Sequence, residues 1–320
     1  MSERNHFLIA FLSFWLTTAS VSQEIKIFTV SDFDLKGEVN KSLVITDYGK
    51  EEYHFNQKGL LTKAITRFSD TDFETTYYKY DQGELIEKRV EHYRDDIFDK
   101  ATSLAYFYEV DTTSNRKVTE KIITYTKELL EKNVYNYDAL GNLTEVTSTD
   151  ANGTDKSQVR RDTMDSHITR SRIKNDRLEE SVEKWTEATE EGTILEHKRT
   201  ISYLDEIPDT RKKEVFGPDG KLLSYAESIY DASTETWISQ FEDTHSYSEN
   251  GMLEKTITKR RNALSAKEYI YQFDGTEANN WVKEIVTPDN TYRTRKISYY
   301  LTPQVANETS AGKTPEPEEE

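Results

Sequence analysis

An aromatic residue, a tight glycine turn and a leucine recur along this chain, and together they commit it to a string of β-hairpins. The motif reads Phe55-Asn56-Gln57-Lys58-Gly59-Leu60-Leu61 and Tyr137-Asp138-Ala139-Leu140-Gly141-Asn142-Leu143. It returns as Phe216-Gly217-Pro218-Asp219-Gly220-Lys221-Leu222 and Tyr247-Ser248-Glu249-Asn250-Gly251-Met252-Leu253. A fifth copy, Tyr80-Asp81-Gln82-Gly83-Glu84-Leu85, is one residue shorter. The long copies have the form of a type I turn closed by a left-handed residue, where glycine takes positive φ without a steric cost. Gly217-Pro218-Asp219-Gly220 fits best, because proline at the second turn position is already set near the required φ. The spacing predicts cross-strand pairs Phe55 with Leu61, Tyr137 with Leu143, Phe216 with Leu222 and Tyr247 with Leu253. The short copy predicts a two-residue turn, Gln82-Gly83, with Tyr80 opposite Leu85. On this reading Asn142 is an ordinary strand position.

A second aromatic sits two residues before the first in Tyr53/Phe55, Tyr78/Tyr80, Tyr135/Tyr137 and Tyr269/Tyr271/Phe273, and Tyr106/Tyr108/Val110 alternates in the same way. A period of 2 puts these rings on one face of a strand. The stripe is expected to be core. Polar turns at Asp111–Asn115, Glu190–Gly192 and Asp231–Glu235 are expected at the other end of the hairpins. Two strands and two turns per unit fit a continuous meander better than a propeller, whose blade needs four strands in about 40–45 residues.

The termini set the compartment. Arg4 and His6 precede an apolar run from Phe7 to Leu16, followed by small residues up to Ser22. This reads as a signal peptide over 1–22, and the run is shorter than the roughly 18–20 residues a spanning helix needs. Residues 23–301 are expected to form the hairpin domain. Residues 302–320, with three Pro and five Glu, are expected to be an acidic disordered tail. The chain has no cysteine, which excludes thiolate metal sites and thiol catalysis and leaves an exported domain to be held by its sheet alone. A formal net charge of −17 argues against binding nucleic acid or anionic lipid.

No residue earns a chemical role. His54, His92, His167, His197 and His245 are dispersed, without metal-ligand spacing. No nucleophile elbow, P-loop or dinucleotide-binding glycine cluster occurs. Asp70-Thr71-Asp72-Phe73-Glu74 and Asp150-Ala151-Asn152-Gly153-Thr154-Asp155 resemble halves of calcium loops, but both lack the full oxygen set and the bidentate Glu, so they read as solvated turns. Trp185, Trp237 and Trp281 read as part of the aromatic core, with stacking on sugar rings as the alternative. Catalytic, cofactor-binding and metal-ligating residues are therefore expected to be none, and the same holds for cofactors.

At the motifs Tyr135-x-Tyr137-Asp138-x-x-Gly141-x-Leu143 and Tyr78-x-Tyr80-Asp81-x-Gly83-x-Leu85 the chain resembles secreted YD-repeat (RHS-like) proteins of the Bacteroidetes type. Asp34–Val39 looks like their opening segment, and Tyr271–Gly275 with Asn280–Lys283 and Ile297–Tyr300 looks like their closing unit. The resemblance implies an all-β fold: an extended, curling antiparallel sheet of repeated hairpins. The chain departs from the family's large toxin-enclosing members, since it lacks the regular Arg of the full repeat. Segments 120–133 and 178–191 admit an amphipathic helical reading, but their neighbours favour strand.

The function expected from these readings is that of an exported, non-enzymatic binding or structural module at the cell envelope. Its partner would be a protein or a glycan there, with no nucleic acid and no membrane span after signal cleavage. The alternative is a carbohydrate-binding or carbohydrate-processing accessory.

Overall fold

A computed structural model describes residues 25–300. The signal segment and the acidic tail of the sequence reading lie outside the described residues. A short 3₁₀ turn, Val30–Phe33, precedes twenty strands. In chain order these are β1 (Val39–Thr46), β2 (Gly49–Phe55), β3 (Leu61–Arg67), β4 (Phe73–Asp81), β5 (Glu84–Arg94), β6 (Ile97–Asp111), β7 (Lys117–Thr124), β8 (Leu129–Tyr137), β9 (Leu143–Asp150) and β10 (Gly153–Met164). They continue as β11 (His167–Lys174), β12 (Arg177–Ala188), β13 (Ile194–Leu204), β14 (Ile207–Phe216), β15 (Leu222–Asp231), β16 (Thr236–Tyr247), β17 (Leu253–Arg260), β18 (Ala263–Phe273), β19 (Trp281–Thr287) and β20 (Thr291–Tyr299). No described helix is long and apolar enough to cross a membrane, which leaves open what the strands do.

All twenty strands belong to one antiparallel sheet, and β1 pairs with β20 as well as with β2. The sheet therefore closes on itself as a twenty-stranded β-barrel in its hydrogen bonding. This corrects the expectation of an open, curling repeat array. The hairpin motifs set only which consecutive strands pair. Closure depends on β1, running from Val39, finding β20, running back from Tyr299, across the whole chain length. No local pattern encodes that pairing, but it removes two edges whose backbone N–H and C=O groups would otherwise be unpaired.

The turn motif behaves as expected. Phe55 pairs with Leu61, Tyr137 with Leu143, Phe216 with Leu222 and Tyr247 with Leu253, each beside a register shift. Gly59, Gly141, Gly220 and Gly251 have φ of 74°, 80°, 76° and 85°. In two copies the first turn residue also organises the loop. Asn56 Oδ1 accepts from the amides of Lys58 and Leu60, and Asp138 Oδ1 accepts from those of Leu140 and Asn142. The fifth copy leaves Gln82-Gly83 between the end of β4 and the start of β5, both with positive φ. Segments 120–133 and 178–191 are strand and turn, without helix.

Two compact units divide the chain. In the first, Tyr80–Arg89 and Lys100–Ala266, consecutive strands from β6 to β17 pair without interruption. Its buried face carries Tyr108, Val118, Glu120, Asn133, Tyr135, Val146 and Ser157. Glu120 is held there by charge-assisted bonds, since Tyr135 Oη and Asn133 Nδ2 each donate to its Oε2 at 3.0 Å. Burial, then the neighbouring carboxylate, pushes the Tyr135 hydroxyl far above its ordinary range. Antiparallel alternation puts the 112–116 and 189–193 turns on the same edge as Gly141, Gly220 and Gly251, against the expectation that they lie opposite. The loop at 189–193 is a fifth long copy of the turn, with Thr189 N donating to Thr193 O at 2.8 Å and Gly192 at φ 83°. Its sequence lacks the aromatic that marks the other copies, because Ala188 stands in that position, opposite Ile194. The opposite edge holds the Asp231–Glu235 turn, as expected, together with two-residue turns such as Asn175-Asp176 and Asp205-Glu206, which take positive φ without glycine. Asn142 is also corrected, because its Nδ2 donates to both Asp138 oxygens and its Oδ1 accepts from Arg161 Nη1 at 2.6 Å.

The second unit, Phe28–Lys79, Val90–Asp99 and the chain from Lys267, holds the closure. There β18, β19, β20, β1, β2, β3 and β4 pair in that order. Leu35, Val39, Phe55 and Leu61 form its core, with Phe28, Phe33, Tyr53 and Tyr78 packed around them. Gly49 has a steric role here: a Cβ on it would lie 2.5 Å from the carbonyl oxygen of Arg67, inside the β2–β3 ladder. Gly49→Ala is expected to destabilise the protein by about 1–3 kcal/mol, the usual scale of overpacking. Urea unfolding checks this, and an unchanged midpoint would mean that the strands do not approach as described.

Candidate functional site

The three tryptophans of the described chain occupy different environments, and these decide what each can do. Trp281 is 3% exposed. The Arg295 guanidinium lies 3.5 Å from its ring centroid and that of Arg293 lies 5.3 Å away. Arg293 makes two hydrogen bonds to Glu284, from Nε at 2.7 Å and Nη2 at 2.6 Å. Arg295 donates to the Phe33 and Asp34 carbonyls instead, which ties β20 to the turn before β1. Burial lowers the Arg295 pKa to about 10. This tryptophan is core, as the sequence reading favoured.

The other two lie in the first unit, on one face of β12–β16. Residues directly opposite on antiparallel strands share a face, and the ladder gives Glu183–Arg199–Lys213–Ala226–Glu242 as one row. The row beside it is Ser181–Ile201–Arg211–Ser228–Ser239. Trp185 stacks between His167 and His197, at centroid distances of 5.3 and 5.0 Å and nearly parallel. Glu183 anchors that stack, accepting from Arg199 and lying 2.8 Å from His167 Nδ1. Burial alone would raise the Glu183 pKa, but His167 and Arg199 outweigh it and hold the carboxyl below its ordinary range. Trp237 lies at the far end of the same face, with the Arg211 guanidinium 4.5 Å from its ring and Tyr230 packed edge-on at 5.2 Å.

Between the two tryptophans the cations are unevenly matched. Arg199 has Glu183, whereas Arg211 and Lys213 make no ion pair among the described residues. Arg211 reaches only Ser228 Oγ, at 3.5 Å, and its Nε is buried without a partner. Desolvation, then the charge of Arg199, lowers the Arg211 pKa; desolvation, then Arg211 and Arg199, lowers that of Lys213. Sequence reading missed this cluster, since Lys and Arg are scattered through every strand and only the register brings Arg199, Arg211 and Lys213 together.

His54, His92 and His245 lie in separate settings, but the fold brings His167 and His197, 30 residues apart in sequence, to opposite faces of one ring. His54 bonds Glu52 at 2.6 Å, His92 lies 3.6 Å from Glu74, His167 and His197 flank Trp185, and His245 meets Thr256 Oγ1 at 3.0 Å. The two calcium-loop look-alikes are hairpin turns. Ser69 Oγ accepts from the amides of Thr71 and Asp72, and Asp150 Oδ1 accepts from those of Asn152 and Gly153. No group of three metal-ligating side chains occurs among the described residues.

No protein-family model matches the chain, and no curated protein does. Among solved structures it is similar to a porin-like protein from Bacteroides uniformis, at 12% identity, with 82% of this chain and 96% of that one covered and a TM-score of 0.26. A porin-like protein from Bacteroides vulgatus matches at 10% identity, covering 82% and 98%, also with a TM-score of 0.26. Scores this low carry no argument about function. The YD-repeat resemblance is corrected: no family model supports it, and the pairing of β1 with β20 closes the sheet that the resemblance required to be open.

Proposed function

We propose that this protein is an exported, water-soluble β-barrel that acts by binding at the cell envelope and catalyses nothing. The observation that carries the reading is the presence of charge at mid-strand positions on both faces of the sheet. On the face of Trp185 the middle of β12–β14 holds Glu183, Arg199, Arg211 and Lys213. On the opposite face Lys184 pairs with Glu196 at 3.1 Å and Lys198 with Glu214 at 2.7 Å, next to Lys212 and Glu227 across β14 and β15. A strand that crosses a bilayer needs one apolar face about 25 Å tall, and each Lys or Arg at the middle of that face costs about 2–4 kcal/mol. Neither face here supplies such a band. A sheet wetted on both sides and rich in aromatic and charged side chains is suited to surface recognition.

Cell fractionation followed by vesicle flotation tests this. The mature chain is expected in the detergent-free soluble fraction of the envelope or medium, and is expected to stay at the bottom of the gradient with phospholipid vesicles. Recovery only in detergent, or flotation with the vesicles, would overturn the reading.

A further inference from the structure

We infer that the face of β12–β16 between Trp185 and Trp237 is a binding track for an acidic polysaccharide, with Arg199, Lys213 and Arg211 taking its carboxylate or sulfate groups. This deepens the proposed function and rests on its reading that the face is open to water.

Three observations converge on this assignment. First, three cations crowd together where the chain could have paired them. Arg199 and Lys213 are directly opposite, and Arg211 is two residues along from Lys213, so all three heads lie within reach of one ligand segment. The chain carries 59 acidic residues against 42 basic ones, yet among the described residues neither Arg211 nor Lys213 makes an ion pair, and Glu242 acts on Lys213 only at longer range. Glu183 is committed to Arg199 and His167, and Glu242 is two strands from Lys213 along the same row. A protein with so many carboxylates that leaves adjacent cations unmatched keeps their repulsion, and an anion arriving between them relieves it.

Second, Arg211 is fixed in place. It lies over the Trp237 ring, and its Nε is buried without an acceptor. A guanidinium presents its donors in a planar fork that matches a carboxylate or sulfate.

Third, aromatic rings bracket the cations. Trp185 and Trp237 are four strands apart and offset by about six residues along the ladder, roughly 25–30 Å on ordinary sheet spacings. That span suits a chain of several sugars and is too long for a monosaccharide. His167 and His197 cover the two faces of Trp185, so packing against the C–H face of a pyranose falls to Trp237.

The test is fluorescence anisotropy of labelled polygalacturonate and dextran sulfate oligomers on the mature chain. Neutral dextran and inorganic polyphosphate serve as controls, and each titration is run at low and at physiological salt. Both acidic saccharides are expected to bind and neutral dextran is not. Arg211→Gln/Lys213→Gln is expected to lose at least tenfold in affinity, the scale of one charge-assisted hydrogen bond. Trp237→Ala is expected to weaken the saccharides and leave any polyphosphate binding unchanged. Lys213→Gln alone guards against misfolding. Lys213 is exposed and repelled by its neighbours, so this variant should melt no lower than wild type while still losing affinity. Absence of binding to both acidic saccharides at low salt overturns the inference, as does undiminished binding by the double variant. Polyphosphate bound as tightly as the saccharides, with Trp237→Ala indifferent, overturns the saccharide assignment in favour of a general polyanion surface. Vesicle flotation reports on the water-soluble reading independently, so the two can fail separately.

Discussion

Tyr137→Ala is expected to lose about 3–5 kcal/mol of unfolding free energy, while Tyr292→Ala loses less than about 1 kcal/mol. Both residues are tyrosines on antiparallel strands, so the contrast isolates burial. Tyr137 is 6% exposed, its ring lies under the Arg116 guanidinium at 5.7 Å, and its backbone amide donates to the Arg116 carbonyl at 3.0 Å. Arg116 is held in turn by two hydrogen bonds to Glu84, at 2.6 and 2.8 Å. Removing the ring leaves a cavity beside Leu143 and also takes away the surface on which the guanidinium rests. Tyr292 is 50% exposed, with one cation–π neighbour, Lys283. Paired urea melts measure the difference. Equal midpoints for the two variants would show that the aromatic stripe is a surface feature. Loss of ligand binding by Tyr137→Ala at an unchanged midpoint would make it a binding face.

Much of this fold is legible because hairpin geometry is local. The Phe–Leu and Tyr–Leu pairs across four turns follow from a glycine at one position and a count of residues, and neither needs tertiary context. Where the local signal changed its chemistry, reading failed. Ala188 hid the fifth long turn, and Asn175-Asp176 and Asp205-Glu206 hid two-residue turns that adopt positive φ without glycine. Closure was illegible for a different reason. Val39–Ile45 and Thr294–Tyr299 are ordinary strand sequences, and nothing in either specifies the other. The cation cluster shares that origin. Arg199, Arg211 and Lys213 are three among 42 basic residues, and only the β13–β14 register makes them neighbours. Asn142 shows the same limit at smaller scale, since its link to Arg161 joins residues 19 apart in sequence.

Closing the sheet has an energetic consequence that differs between the two units. In the first, buried positions are shared among tyrosine, valine and hydrogen-bonded polar groups such as Glu120 and Asn133, so cohesion comes from ladder bonds and satisfied polar contacts as much as from apolar burial. The second concentrates its apolar core beneath the segment that leads into β1. There the strand that completes the ring is fastened by side chains as well as by its backbone. Asn280 Nδ2 donates to the Lys36 carbonyl while its Oδ1 accepts from the Lys36 amide, both at 2.8 Å. Tyr300 Oη donates to the Phe55 carbonyl at 2.6 Å.

Trp281→Ala should therefore be among the most damaging single changes in the chain, at about 3–5 kcal/mol. The ring is 3% exposed and packs against Tyr271 at 6.2 Å as well as against both arginines. Without it, Arg295 loses the surface that shields its charge, while its Nη donors stay committed to the Phe33 and Asp34 carbonyls and its Nε has no acceptor. A buried cation stripped of its packing carries a desolvation cost beyond the cavity itself. Trp281→Phe keeps a ring in place and should recover most of the loss. Trp237→Ala removes a half-buried ring from a wetted face and should cost about 1 kcal/mol. Urea unfolding followed by far-ultraviolet circular dichroism ranks the three variants. A Trp281→Ala midpoint equal to that of Trp237→Ala would mean that the closing strand is not anchored through Arg295, and the assignment of this tryptophan to the core would have to be abandoned.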